Sequence, residues 1–262
     1  LASEYVTYVG QPILAVAATE DPNKAIVTLL NGRVALWNIS RNNRWPILLT
    51  HNLQIMNSQL LPDDHIATSG LDAKVKVWDL KNLGEYNTLN VEEDVWWMDY
   101  SASSKRLFGI MCSGWVNAKG VMVWNWPDLS VHKKYMLPED SSRVGIHPDG
   151  NIIAYSKGDD FSIQLYDLGK NQNIQKLTHH ADLITHINFS PDGLKMLTAS
   201  FDETAKVYDM SDLSSEPVSI DFGFSWGGRI EFSDDSKLFA LRTTIGADST
   251  TAKIFNTSNG TE

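Results

Sequence analysis

Six segments of this chain end alike, and that recurrence limits its fold more than any other feature. They are NGRVALWNIS (31–40), AKVKVWDL (73–80), GVMVWNW (120–126), SIQLYDL (162–168), TAKVYDM (204–210) and TAKIFNT (251–257). Each alternates apolar with polar residues, the period of a β-strand covered on one face, and closes on an aromatic residue followed by Asp or Asn. The aromatic positions Trp37, Trp78, Trp124, Tyr166, Tyr208 and Phe255 are 41, 46, 42, 42 and 47 residues apart, a mean of about 44. That is the length of one four-stranded unit, and 262 residues hold about six of them. Upstream of most lies another period-two stretch and then a turn cluster: DPN (21–23), PDD (62–64), PDG (148–150), PDG (191–193) or SDDS (233–236). Asp, Pro, Gly and Asn supply the tight turns that join antiparallel neighbours. No helical periodicity survives for three turns, so the spacing predicts an all-β chain.

Composition narrows the function. Lys and Arg number 22 against 32 Asp and Glu, a net charge of −10. That is the wrong sign for a protein whose affinity comes from neutralising phosphates, so nucleic acid is not an expected partner. Cys112 is the lone cysteine, which excludes an internal disulfide framework and a Cys-based zinc site. It fits an intracellular setting, cytoplasmic or nuclear. No apolar run approaches the roughly 20 residues needed to cross a bilayer, and the first residues lack the pattern of a signal peptide, so membrane insertion is not expected. The chain opens on Leu1 rather than Met, as a piece of a larger protein would.

Two repeats carry a family resemblance. In one, His51 is followed by IMNSQLLPDD (55–64), IATSGLD (66–72) and VKVWDL (75–80). In the other, HH (179–180) is followed by ITHINFSPDG (184–193), LTASFD (197–202) and AKVYD (205–209). The pattern resembles the WD-repeat β-propeller family across essentially the whole chain; the other four repeats keep the aromatic-Asp or aromatic-Asn ending but lack the opening Gly-His pair. The resemblance implies a single propeller over residues 1–262 with four-stranded antiparallel blades, six in number, or seven if a partner or further chain supplies one. It also implies a hydrogen-bonded series in each good repeat: a leading His, a Ser or Thr of the second strand, the turn Asp and the third-strand aromatic. By position these are His51, Ser69 or Thr68, Asp72 and Trp78, then His180, Ser200 or Thr198, Asp202 and Tyr208. Tyr208 puts a phenolic hydroxyl where an indole N–H is expected, so its series must be wired differently. Only a few residues follow Asn256, while EYVTYV (4–9) is a strand with no blade before it. Pairing the two, around Lys253 to Asn256, would close a ring and hide its sheet edges.

Catalytic patterns are weak. GFSWG (223–227) matches G-x-S-x-G at Ser225, but no helix follows and the last histidine, His186, precedes it. His179, His180 and His186 lack metal-ligand spacing, phosphate-cradling loops do not occur, and neither metal nor cofactor is expected. The enzymatic alternative is a propeller hydrolase with a carboxylate-lined channel drawing on Asp94, Asp99, Asp140 or Glu231, although no spacing predicts the pair that glycoside hydrolysis requires.

The expected role is a non-catalytic scaffold binding a partner protein or peptide within a complex. In the family the usual contact surface is the top face, built by the loops leading into each blade and those joining its second and third strands. Carried over, this selects Pro12, Leu14, Leu71, Trp96, Leu183, Phe201 and Trp226. Exposed together they would form an apolar, aromatic anchor; the alternative is that Trp96 and Trp226 fill gaps between blades. Arg143, His186 and Arg229 take equivalent first-strand positions, where two guanidinium forks flanking an imidazole would suit an anionic group on a partner, unless each Arg pairs with a neighbour such as Asp140 or Glu231. The third and sixth repeats carry longer second loops, around 113–119 and 244–250, a place where binding function often resides.

Overall fold

A computed structural model describes residues 13–18, 21, 23–29, 31–38, 43–48, 51–82, 84–114, 117–222, 230–245 and 249–262. These residues form strands and turns only. The first sheet holds β1 (Ile13–Ala18), β2 (Lys24–Leu29), β3 (Val34–Asn38) and β4 (Asn43–Leu48). The second holds β5 (Ile55–Leu61), β6 (His65–Gly70), β7 (Lys74–Asp79) and β8 (Gly84–Asn90). In the third are β9 (Asp94–Ser101), β10 (Arg106–Cys112), β11 (Ala118–Asn125) and β12 (Val131–Met136). The fourth contains β13 (Ser141–Ile146), β14 (Ile152–Lys157), β15 (Ile163–Asp167) and β16 (Gln172–Leu177). The fifth contains β17 (Ile184–Phe189), β18 (Lys195–Ser200), β19 (Thr204–Asp209) and β20 (Val218–Asp221). The sixth has three strands, β21 (Ile230–Phe232), β22 (Leu238–Ile245) and β23 (Ser249–Asn256).

Strand order follows chain order in every sheet, the meander of a propeller blade, and each of the six aromatic positions falls in a third strand. The segment 4–9, assigned by the sequence to the open side of β23, lies outside the described residues. The insertion expected as a loop around 244–250 instead lengthens a hairpin, with β22 and β23 paired out to Ile245 and Ser249.

Two compact units make up the chain. One comprises Leu1–Tyr100, Leu107–Ser113 and Val121–Val123; the other comprises Ser101–Arg106, Gly114–Gly120 and Trp124–Glu262. Within the first unit Ile26 and Val34 of the first sheet pack with Ile55, Ile66 and Trp78 of the second. Within the other, Leu165 of the fourth sheet joins Ile184, Phe189 and Met196 of the fifth, and Leu197 and Val207 of the fifth join Phe239, Leu241 and Phe255 of the sixth. A two-faced sheet buries both faces only by stacking on neighbours, which is why second strands such as IATSG and MLTAS read as nearly continuous small and apolar runs. Trp78, Trp124 and Tyr208 are fully buried in this packing, whereas Tyr166 is half-buried.

A register shift recurs near the start of the first strand, between Ile55 and Asn57, Ser141 and Val144, and Ile184 and His186. Such a bulge re-aims the residues that follow it. The strand alternation then decides which side chains face the preceding sheet.

Candidate interaction surface

In the second sheet Ile66 of β6 pairs with Trp78 of β7, and Thr68 pairs with Lys76, so the side chains of Thr68 and Trp78 share a face. The Trp78 indole N–H donates to Thr68 Oγ1 at 2.8 Å. That hydroxyl meets His51 Nε2 at 2.9 Å, and His51 Nδ1 meets Asp72 Oδ1 at 2.8 Å. Asp72, ionised, only accepts, so Nδ1 carries the proton and Nε2 accepts from the Thr68 hydroxyl. Every polar member of the series is thereby partnered, and Asp72 also takes the Asn52 N–H at 3.0 Å. Burial pushes the Asp72 carboxyl upward, but the His51 and Asn52 hydrogen bonds outweigh it and hold the group below its ordinary range.

The series runs through Thr68, not Ser69. Ser69 lies one residue on, its side chain faces the other side of the strand, and its buried hydroxyl has no hydrogen-bond partner among the described residues. Likewise the fifth sheet uses Thr198, whose Oγ1 lies 2.7 Å from His180 Nε2, while His180 Nδ1 lies 2.8 Å from Asp202. Ser200 instead donates to the Asp182 carbonyl at 2.9 Å and accepts the Asp202 N–H. Asp202 gathers further donors in the Ala181 N–H and the Thr204 hydroxyl. Burial raises its pKa, yet these bonds and His180 together draw it down to about 2. Burial lowers the His180 pKa by more than the Asp202 carboxylate raises it, which keeps the ring neutral. The Tyr208 hydroxyl lies close to Thr198, yet among the described residues no well-formed hydrogen bond reaches it, and burial drives its pKa far above the usual phenol range.

These series tie together two connections at one end of each sheet: the segment leading into the first strand and the turn between the second and third. Backbone bonds reinforce them, Leu71 N to Gln54 O at 3.0 Å and Phe201 N to Leu183 O at 2.9 Å. Leu183 is exposed (38%), and Leu71 and Phe201 are half-buried beside these turns. Trp96 is 5% exposed, because it follows Val95 inside β9 rather than preceding the strand; it packs in the core. Leu14 lies in β1, placed by its backbone alone, and Pro12, Trp226, Arg229 and Ser225 lie outside the described residues. Arg143 and His186 are half-buried; Arg143 lies within the bulge of β13 and His186 closes that of β17, and the two strands run side by side. Asp140, offered as a channel carboxylate, is held low by a hydrogen bond from Lys157, whose Nζ lies 2.7 Å away. Asp94 is pushed up by burial and by Glu93 and Asp72.

At the other end of the sheets in the larger unit, the structure shows a set of links that the motif reading missed. Ser101 and Ser103 both donate to the Pro148 carbonyl. His147 Nε2 donates to the Gly193 carbonyl at 3.0 Å, and Asp192 N–H donates to Ser236 Oγ at 3.1 Å. Each turn between first and second strands thus bonds to its counterpart in the next sheet. Gly193 has φ +73°, and a Cβ there would stand 2.7 Å from His147 Nε2, so the link needs glycine. The signal was the recurrence of SASS, HPDG, SPDG and SDDS at the same point of successive repeats.

Comparisons with known proteins agree with this architecture. The family model described as WD domain, G-beta repeat matches residues 171–209, from the start of β16 to the end of β19. Serine-threonine kinase receptor-associated protein of Dictyostelium discoideum is 26% identical over 211 residues, 79% of this chain and 69% of the relative. The Gallus gallus protein of that name is 23% identical over 207 residues, 78% of this chain and 57% of the relative. Periodic tryptophan protein 2 of Arabidopsis thaliana is 20% identical over 183 residues, 68% of this chain but only 20% of the relative. The chain therefore spans between a fifth and about two thirds of these relatives. With the six aromatic-ended third strands and the two His-Thr-Asp series, the matched repeat shows that this chain is built of repeats similar to those of WD-repeat proteins.

Proposed function

We propose that the chain is a single propeller acting as a non-catalytic scaffold, which binds a partner protein or peptide through the turns at the His-Asp end of its sheets. Leu183 carries this reading. A large aliphatic side chain is held out to solvent on a loop pinned by the Phe201 N–H bond and by the His180–Asp202 pair beneath it. A fixed apolar anchor loses little entropy when a partner covers it, which favours binding. Phe201 is its proposed partner on the same turns, Leu71 holds the equivalent place in the second sheet, and Arg143 and His186 are the proposed polar contacts. Serine-threonine kinase receptor-associated protein is named for an association with a receptor, and the associating role, not the receptor, is what we carry to this chain. A setting in the cytoplasm or nucleus suits the single buried cysteine. No helix of the described residues is long and apolar enough to cross a membrane.

Affinity purification from the source cell tests the proposal, with wild type set beside a Leu183→Asp, Phe201→Ala double variant of matched circular dichroism and melting temperature. Specific proteins that accompany wild type and disappear with the folded variant support it. Retention of the same partners by the variant overturns the assignment of this surface.

A further inference from the structure

The third sheet ends on β12, the outermost strand in its order. Leu137 N–H donates to the Lys119 carbonyl at 2.9 Å, so by strand alternation the Met136 amide points away from β11, toward the outer edge of the sheet. This edge is unlike the rest of the chain in charge. His132 and Lys133 are exposed along it, and Lys105 and Arg106 stand at the start of β10 close enough for Arg106 to act on both His132 and Tyr135. Among the described residues no salt bridge joins Lys105, Arg106, His132 or Lys133 to a carboxylate, although acids outnumber bases in the chain by ten. Asp128, at the turn before β12, is bound by the Ser130 N–H and hydroxyl. Lys133 Nζ sits 4.7 Å over the buried Tyr135 ring, which fixes the cation on the strand. Val131 (63% exposed) and Met136 (64%) bracket the strand and are the two most exposed large hydrophobic residues described.

Gathered positive charge without partners repels itself and is usually dispersed. Partial burial and the charges of Arg106 and Lys133 hold the His132 imidazole below its ordinary range. Edge strands are commonly protected by charge, and lysines on β12 would serve that purpose alone. Two large apolar side chains left exposed on the same strand do not fit pure protection, since they invite contact. Cations, an outward-facing amide on the outermost strand and apolar flanks together make a surface that attracts one kind of strand and repels others.

We propose that the open edge of β12 takes up an extended acidic segment of a partner protein by strand addition, with Arg106, His132 and Lys133 receiving its carboxylates and Val131 and Met136 covered by its apolar side chains. The chain's overall negative charge does not prevent this, because distant charges are screened beyond about 8 Å at physiological salt. The proposal is independent of the turn surface around Leu183, and its failure would leave that reading untouched.

A capped peptide of alternating Glu and Val, titrated into the full chain and followed by NMR, tests it. The expected result is saturable binding, a rise in the titration midpoint of His132 and slowed hydrogen exchange at the Met136 amide. An Arg106→Glu, Lys133→Glu variant should bind roughly tenfold or more weakly. Should that variant fail to fold, Lys133→Gln must still weaken binding, and a Lys-Val peptide must not bind wild type. Binding without protection of the Met136 amide overturns strand addition. Unchanged affinity in the charge variants, or equal binding by oligo-thymidine with full competition, overturns the acidic-peptide assignment.

Discussion

The second and fifth sheets carry the same polar series with one difference, the aromatic residue of the third strand. In the second sheet the Trp78 N–H feeds the Thr68 hydroxyl, which feeds His51, which feeds Asp72. In the fifth, Tyr208 sits in the same place but its hydroxyl feeds nothing, so the series starts at Thr198 and is anchored more heavily at its far end, where Thr204 joins His180 and Ala181 on Asp202. The lesson is that a buried polar chain is tied to its donors and acceptors rather than to residue names. One sheet secures its series through the core aromatic residue, the other through the turn.

Replacing Thr68 by Val should break that comparison most sharply. It strands both the Trp78 N–H and His51 Nε2, at a cost of roughly 2–4 kcal/mol, whereas Thr198→Val strands only His180 and should cost about 1–3 kcal/mol. Urea unfolding of the two variants measures the gap, and equal losses would show that Tyr208 contributes as much as Trp78. Gly70→Ala comes next. A Cβ at Gly70 would stand 2.7 Å from His51 Nδ1, while Ser200 occupies the matching place in the fifth sheet. The added methyl should cost about 1–3 kcal/mol by displacing the ring, and Ser200→Ala less.

Tyr208→Phe removes a buried hydroxyl that has no partner and should leave stability within about 0.5 kcal/mol of wild type or raise it. Trp78→Phe, by contrast, must lose stability in the same assay. The smallest expected effect concerns acid. His180 has a folded pKa below the ordinary 6.5 of an imidazole, and that of Asp202 is drawn from 3.8 to about 2. In both cases the unfolded chain takes up the proton first. The stability they contribute is therefore complete above 6.5 and 3.8 respectively, and is lost as pH falls toward each folded value. Melting temperature should begin to decline below 6.5, and His180→Gln should flatten that upper step while only reducing the lower one, since the Ala181 and Thr204 donors to Asp202 remain.

Periodicity alone made the strands legible, since alternation with an aromatic stop at fixed spacing has no other compact solution. The family resemblance, rather than the period, marked His51, Asp72, His180 and Asp202, residues that are costly to bury without a partner. It left Thr68 and Ser69 as alternatives because both are hydroxyls, and only the register of β6 against β7 decides which one faces the indole. Trp96 was offered as a surface anchor on its position near a strand start, but one residue of displacement past that start turns a loop side chain into a core one.

The sequence by itself determined the all-β class, the repeat and the turns, because these depend on near neighbours and on period, while the residues of the polar series were implied by the family resemblance. Tertiary structure decided which hydroxyl completes each series, which apolar side chains remain in solvent and which charges find a partner. Those outcomes depend on what neighbouring sheets bring within a few ångströms, and no local pattern encodes that. Lys133 and Lys157 look alike along the chain; the fold gives Lys157 the Asp140 carboxylate and leaves Lys133 on an open edge over a tyrosine.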